Sequence, residues 1–287
     1  KIFNYIVLTV LMFFVSCAKT DKDVVGDITL LVSTNVRGQL DPCGWKKNPL
    51  GGLSRKSTYV KQLNKERNNI VILDAGDLLF NNSVLVDIQS EADKLRAQTV
   101  IKGYETIGCD VINVGGFDMA AGMDYLQQIV DSTDIPFISA NIIDSKTNRN
   151  LFPPHHIIEN EGLSVGVIGL TDLVPPHVRR VKIEDFITVG KAQIAELRNK
   201  VDIVVVLANV NRDKNKLMNE EFTDADYVFL SRNTMKTRPG TEQPVDGPFT
   251  YGSNVQGKYL AQIDINLTEI DSPLVDVSNL HAQIDNI

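Results

Sequence analysis

The sequence predicts a mixed α/β fold, a four-layer αββα sandwich of two mixed β-sheets that pack face to face with helices outside. Three observations favour it. Buried apolar strands alternate with amphipathic helices in the first half of the chain, the same βα pattern returns between residues 191 and 230, and the remaining segments pair locally. The clearest buried strand occupies residues 70–73, which are all apolar and run directly into Asp74 and Asp77.

The first half of the chain contains four of these strands, each a short run rich in apolar residues. They are predicted at 28–33, 70–73, 110–114 and 136–140. Apolar residues at helical spacing predict helices that begin near Leu53 and cover 92–107 and 119–130, and Gly108 is placed to end the second helix. Parallel strands joined by helices bring their exit loops together at one edge of a sheet.

The second half mixes a hairpin with further βα units. Asn160, Glu161 and Gly162 lie between two apolar runs and predict the hairpin turn. The predicted strands are 155–159, 163–170, 201–208, 227–230, 248–253 and 259–266, and the predicted helices are 191–200 and 213–221. Few apolar residues follow Leu267, so the domain is predicted to span residues 28–267 and to be followed by a tail at 268–287.

The first 17 residues have the composition of a secretory signal. A basic start and an apolar run at 6–15 precede Ser16 and Cys17, and the run is too short for a membrane-spanning helix. The position of Cys17 is similar to that in a bacterial lipobox, although Phe14 is atypical there. We therefore expect residues 18–27 to be a tether and membrane lipid to be a partner through acylated Cys17, which predicts a lipoprotein of the bacterial cell envelope, periplasmic or on the surface. A plain signal peptide with an incidental cysteine is the alternative.

Charge limits the classes of partner. The 287 residues carry a formal net charge of −7 and are 43% hydrophobic, which is ordinary for a globular protein. An acidic chain of this kind is a poor match for a nucleic-acid surface, so no nucleic-acid partner is expected.

Polar loops follow the predicted strands where a ligand site of an α/β sheet forms. These loops are Asn35-Val36-Arg37-Gly38, Asp74-Ala75-Gly76-Asp77, Gly115-Gly116-Phe117-Asp118, Asn209 and Ser231-Arg232-Asn233-Thr234. Two further stretches stand out, Leu50-Gly51-Gly52-Leu53-Ser54-Arg55 and Gly257-Lys258-Tyr259-Leu260. Together they resemble the calcineurin-like metallophosphoesterases, specifically the N-terminal domain of the 5′-nucleotidase branch, over residues 28 to 267. The resemblance implies the metallophosphoesterase fold.

The resemblance also implies a site with two divalent metal ions, held by Asp, His and Asn, which activate a hydroxide that attacks a phosphate ester. Carried over residue by residue, it implies that Asp77 is the one metal ligand that this chain retains. Asn35 and Arg37 occupy the first ligand loop, Phe117 replaces the catalytic histidine and precedes Asp118, and the later ligand positions hold Asn209 and Arg232. The metal site is therefore predicted to be degenerate.

A different alignment of the sequence to the family motifs does not restore the metal site. The chain has four histidines, His155, His156, His177 and His281, and none lies in an exit loop of a βα unit. We therefore expect no resident metal cofactor.

Arg37 and Arg232 stand where the resemblance implies histidine ligands. Arginine stays protonated and cannot ligate a metal, so these side chains repel cations. Two interpretations remain open. The arginines form a structural ion pair with Asp77, or they form an anion pocket in which Arg37, Arg232, Asn35 and Asn209 are the candidate binding residues.

The predicted function follows from the degenerate site. We expect an exported, lipid-anchored homologue of the 5′-nucleotidases that is inactive as a hydrolase and binds or scaffolds at the cell envelope, with an anionic small molecule or an envelope protein as partner. One alternative is a residual metal-dependent phosphoester hydrolase. Another is a thiol protein acting through Cys43, which is expected to be separate from the other thiol, Cys109.

Overall fold

The computed structural model of the protein describes residues 26–44, 47, 49–244, 246–267 and 273–278. The predicted signal peptide at 1–17 with Cys17, most of the predicted tether, and His281 lie outside these residues. In the part of the chain that the structure describes, no helix is both long and apolar enough to cross a membrane.

Five helices and twelve strands make up the described domain. The helices are α1 (Leu53–Glu66), α2 (Ser90–Ile107), α3 (Met123–Asp131), α4 (Phe186–Arg198) and α5 (Asn215–Glu221). The strands are β1 (Gly26–Ser33), β2 (Ile70–Asp74), β3 (Val111–Asn113), β4 (Phe137–Ile138), β5 (Ile142–Asp144), β6 (His155–Asn160), β7 (Leu163–Thr171), β8 (Val181–Ile183), β9 (Ile203–Asn209), β10 (Tyr227–Ser231), β11 (Phe249–Tyr251) and β12 (Ala261–Leu267).

The strands form two five-stranded mixed sheets and one small pair. The first sheet has the order β12-β1-β2-β3-β4, the second has the order β11-β10-β9-β7-β6, and β5 pairs with β8. Each large sheet is parallel except for one antiparallel edge strand, β12 in the first and β6 in the second. The parallel strands of both sheets therefore end at the same edge as their neighbours, which places the exit loops side by side.

Three apolar clusters hold the layers together. Between the sheets, side chains such as Leu30 and Leu73 of the first sheet meet Val167 and Val205 of the second. The outer face of the first sheet is covered by α1, α2 and α3, and that of the second by α4 and α5. This arrangement confirms the predicted αββα sandwich.

Some boundaries differ from the prediction for local reasons. The helix expected over 119–130 is divided, because Gly122 has a φ of 88° and α3 begins only after it. Helix α4 begins before the predicted 191, since the Asp185 carboxylate caps it by accepting a hydrogen bond from the Thr188 amide. The pair β5–β8 was not expected. The predicted tail also contacts the domain, because Leu274 packs against the apolar core between the sheets.

Candidate functional site

The exit loops of both sheets converge at one edge of the sandwich. The amide of Asn35 donates to the Gly76 carbonyl at 3.2 Å, and the amide of Arg37 donates to the Asp77 carbonyl at 2.9 Å. Four non-glycine residues of these loops, Asn35, Arg37, Asp77 and Arg232, have φ between 51° and 61°. Non-glycine residues rarely adopt this left-handed conformation, and where they do they concentrate at functional sites.

Two buried carboxyl groups, Asp77 and Asp118, lie at the centre of this edge. Asp118 accepts three backbone hydrogen bonds, from Leu79 at 2.8 Å, from Gly115 at 2.8 Å and from Asp77 at 3.0 Å. Oδ1 of Asp77 accepts from the amide of Phe117 at 2.8 Å, whereas its Oδ2 is buried without a hydrogen-bond partner. Asp118 therefore joins the loop after β2 to the loop after β3.

Burial controls the ionisation of this pair. Removal from water raises the pKa of Asp77, and burial together with the Asp77 charge raises the pKa of Asp118 to about 8. Both oxygens of Asp118 already accept from N–H groups. Oδ2 of Asp77, by contrast, has no donor among the described residues.

The two asparagine candidates connect one sheet to the other. Oδ1 of Asn35, after β1, accepts from the amide of Arg232, after β10, at 2.6 Å. The side-chain nitrogen Nδ2 of Asn35 donates to the backbone carbonyls of Asn233 and Asn254. Oδ1 of Asn209, at the end of β9, accepts from the amide of Gly116 at 2.9 Å. Both side chains are therefore buried and engaged in internal contacts.

The arginines do not pair with Asp77. The guanidinium of Arg232 forms an ion pair with Asp172, whose other carboxylate oxygen lies 3.2 Å from Nζ of Lys214. The guanidinium of Arg37 lies 5.1 Å from the centroid of the Phe117 ring, and its Nε is buried without a hydrogen-bond partner. Among the described residues neither arginine lies within 4.0 Å of the Asp77 carboxylate. The expected ion pair with Asp77 is therefore wrong for both arginines.

Sequence reasoning missed Asp172 as a member of the site. Asp172 directly follows β7, and β7 and β10 flank β9 on opposite sides in the second sheet. The signal was present in the sequence, since a carboxylate at the end of a buried strand is a candidate for this edge.

The residues at this edge do not fit two divalent metal ions. Arg37, Phe117 and Arg232 offer no ligand atom, and the amide oxygens of Asn35 and Asn209 already accept backbone hydrogen bonds. A larger residue at position 116 is also obstructed, because a Cβ there would lie 2.6 Å from the Leu173 side chain. Within the described residues no group of three or more His, Cys, Asp or Glu side chains is arranged to hold a metal. In the part of the chain that the structure describes, Oδ2 of Asp77 is a buried oxygen of this edge without an internal partner.

The cysteines and histidines make contacts of their own, apart from the carboxyl pair Asp77 and Asp118. Cys43 is half-buried, with its sulfur 3.8 Å from Oε1 of Gln256, and both Cys43 and Cys109 are free thiols as expected. His155 contacts Gln193, and His177 contacts the carbonyl of Ala120. His155 and His156 lie in β6, and His177 lies between β7 and β8.

A second polar network lies beneath the site, on the helix side of the first sheet. Oδ2 of Asp74 accepts from the hydroxyls of Ser33 at 2.7 Å and Tyr104 at 2.8 Å, and its Oδ1 accepts from the amide of Gly76 at 3.0 Å. Nζ of Lys56 donates to Oγ of Ser33 at 3.0 Å and lies 3.9 Å from the centroid of the Tyr104 ring. Burial raises the pKa of Asp74 and lowers that of Lys56, while the two opposite charges moderate both shifts.

Sequence comparison relates the chain to nucleotide-processing enzymes. It is 31% identical over 180 residues to a 2′,3′-cyclic-nucleotide 2′-phosphodiesterase/3′-nucleotidase of Salmonella typhimurium, a match that covers 55% of this chain and 27% of that protein. It is 27% identical over 176 residues to a 5′-nucleotidase of Vibrio cholerae, covering 57% of this chain and 31% of that one. The chain therefore spans less than a third of the length of these relatives. No family model matches the sequence.

Comparison with solved structures shows that the fold is similar to that of phosphoesterases. The NAD nucleotidase of Haemophilus influenzae superposes with a TM-score of 0.71 at 16% identity, covering 88% of this chain and 55% of that one. A calcineurin-like phosphoesterase of Bacillus subtilis superposes with a TM-score of 0.68 at 17% identity, covering 85% and 86%. The chain has the fold of these phosphoesterases, and homologues and solved structures alike support a relationship to the 5′-nucleotidase and metallophosphoesterase-like proteins.

Proposed function

We propose that the chain is a non-catalytic homologue of the 5′-nucleotidase-like metallophosphoesterases that works as a binding or scaffolding protein at the bacterial cell envelope. One observation carries the proposal. The edge where the family places its metals is held together here by internal contacts. Asn35 and Asn209 each accept a hydrogen bond from a backbone amide of the other sheet's loops, and Arg232 forms an ion pair with Asp172.

The electrostatics of this edge support the same conclusion. Burial raises the pKa of the Asp77 carboxyl, and the positive charges of Arg37 and Arg232 oppose that shift. A divalent ion at Asp77 would meet repulsion from Arg37 and Arg232 without gaining a second strong ligand. The positive charge that the site needs is therefore supplied by the protein itself.

An anionic small molecule remains a candidate partner at this edge through Arg37. Its guanidinium has no acidic side chain within 4.0 Å among the described residues, in contrast to that of Arg232. An envelope protein is the other candidate partner. Cys43 lacks a neighbouring thiol in the described region, which gives the thiol alternative no support.

Purified protein should not hydrolyse nucleotides or p-nitrophenyl phosphate above background with added Mn²⁺, Zn²⁺ or Mg²⁺. The reason is that only one family ligand atom, Oδ2 of Asp77, is left without an internal partner. After dialysis against zinc and manganese, elemental analysis should find well below one metal ion per chain.

The control for this experiment is Asp77→Ala, which removes the retained ligand. Hydrolysis that is present in the wild type and lost in Asp77→Ala would show a residual metal-dependent hydrolase instead. Background activity that persists unchanged in the variant comes from a contaminant and agrees with the proposal.

We further propose that residues 1–17 are a lipoprotein signal and that acylated Cys17 anchors the protein to membrane lipid. The support is the basic start, the short apolar run and Ser16 before Cys17. Cys17→Ser should move the protein from the membrane fraction to the soluble envelope fraction of cells that express the full chain. A wild-type protein that is soluble, with an unmodified N-terminus by mass spectrometry, would contradict the anchor.

A further inference from the structure

Two sequence motifs that the strand-exit edge does not use meet at a separate groove. The start of α1, with Gly51 and Gly52 before it, forms one wall, and the segment that leads into β12, with Lys258 and Tyr259, forms the other. The groove has a volume of about 580 Å³, within the range of small-molecule sites. It is therefore large enough to take a ligand of its own.

The glycines of the first motif explain why the two walls lie so close. Gly51 has a φ of +74°, and a Cβ there would lie 2.8 Å from the carbonyl oxygen of Gly257. Gly52 has a φ of +88°, and a Cβ there would lie 2.7 Å from the backbone nitrogen of Pro42. Packing therefore accounts for the glycines, but it does not account for the charged and aromatic side chains beside them.

The charge of the groove is opposite to that of the chain. Arg55, Lys56 and Lys258 line it, and among its described lining residues none is Asp or Glu, although the whole chain carries −7. The ammonium of Lys56 binds inward to Ser33, whereas Arg55 and Lys258 have no acidic partner within 4.0 Å in the described region. Arg55 donates to the carbonyl of Pro49, so two cations without an acidic partner in the described region line the open groove.

The first turn of α1 adds to this positive potential. Its N-cap is Gly52, no side chain caps the helix, and the first turn contains no acidic residue. Basic residues at the start of a helix are unfavourable because the macrodipole is positive there. Arg55, which is exposed, carries this unfavourable interaction, and an anion bound at the groove would offset it.

We propose that this groove binds a small organic phosphate. Its oxyanion group contacts Arg55, Lys258 and the first turn of α1, and its organic part lies against Tyr259. Tyr59 also lines the groove, and its hydroxyl donates to Oε1 of Gln262 on the opposite wall. Arginine and lysine suit phosphate oxygens, and a tyrosine ring supplies apolar contact for a ring substituent. The site is distinct from the strand-exit edge and does not depend on the absence of catalysis there.

Isothermal titration with phenyl phosphate tests the assignment, with inorganic phosphate as the comparison. We expect phenyl phosphate to bind more tightly than inorganic phosphate, and the Arg55→Gln, Lys258→Gln double variant to bind about tenfold more weakly or worse. Tyr259→Leu should reduce the preference for phenyl phosphate over inorganic phosphate. Lys61→Gln is the matched control, since Lys61 is an exposed base of α1 outside the groove, and it should leave the affinity unchanged.

Three outcomes would overturn the assignment. They are no binding of either compound at millimolar concentration, equal binding by the double variant and the wild type, and loss of binding in Arg37→Gln, which would place the ligand at the strand-exit edge instead. Vesicles of phosphatidylcholine with and without phosphatidylglycerol distinguish the source of the phosphate. Binding to the anionic vesicles that the double variant loses would support the same groove with a lipid headgroup as its ligand.

Discussion

Replacing Asp74 with alanine should destabilise the domain by about 3–5 kcal/mol, since the change takes the acceptor from three hydrogen-bond donors and the counter-charge from Lys56. The carboxylate of Asp74 accepts from Ser33, Tyr104 and the amide of Gly76, and Ser33 connects it to Nζ of Lys56. Alanine removes the acceptor from these three donors and leaves the half-buried ammonium of Lys56 without a counter-charge. Urea unfolding followed by circular dichroism measures the loss.

The partner variants separate charge from hydrogen bonding. Lys56→Met should cost less than Asp74→Ala, because the Asp74 carboxyl keeps its three donors and can take up a proton. In the double variant the methionine stem fills the same space without a charge, so Asp74→Ala should cost less in the Lys56→Met background than in the wild type. Equal costs in both backgrounds would show that Lys56 and Asp74 do not interact.

The fold was predictable because its central strands are continuous apolar runs. Such runs identify buried strands without any knowledge of pairing, and β2, β7 and β9 lie close to where the sequence placed them. Boundaries were missed where a single residue decides them, as at Gly122 before α3 and at the Asp185 cap of α4. The short pair β5–β8 has too few residues to show a periodic pattern.

The site was predictable in position but not in its contacts. The ends of buried strands located Asn35, Asp77, Asn209 and Arg232, and the structure brings them to one edge. Which side chains bind each other depends on sheet order, and the order β10-β9-β7 is what brings Asp172 and Arg232 to either side of Asn209. Strand order of this kind results from long-range packing, which local sequence patterns do not reveal.

Three hydrogen bonds join the two sheets at this edge. Asn35 and Asn209 each carry a hydrogen bond from one sheet to a loop of the other. The hydroxyl of Ser231 adds a third such contact at 2.6 Å, to the carbonyl of Ala75 after β2. Internal polar contacts therefore connect the two halves of the sandwich at this edge.

Asp118→Ala should be the most damaging change at this edge and should lower the free energy of unfolding by at least about 3 kcal/mol, because three buried N–H groups lose their acceptor at about 1–3 kcal/mol each. Those donors are the backbone amides of Asp77, Leu79 and Gly115. In the variant, these amides should exchange their hydrogens faster than the amides of β2 do. Asp134→Ala is the matched control, since Asp134 is exposed, and it should change stability by less than about 0.5 kcal/mol. If Asp118→Ala cost no more than this control, the loops after β2 and β3 would have to be held by other contacts, and the arrangement of Asp77 could not be attributed to Asp118.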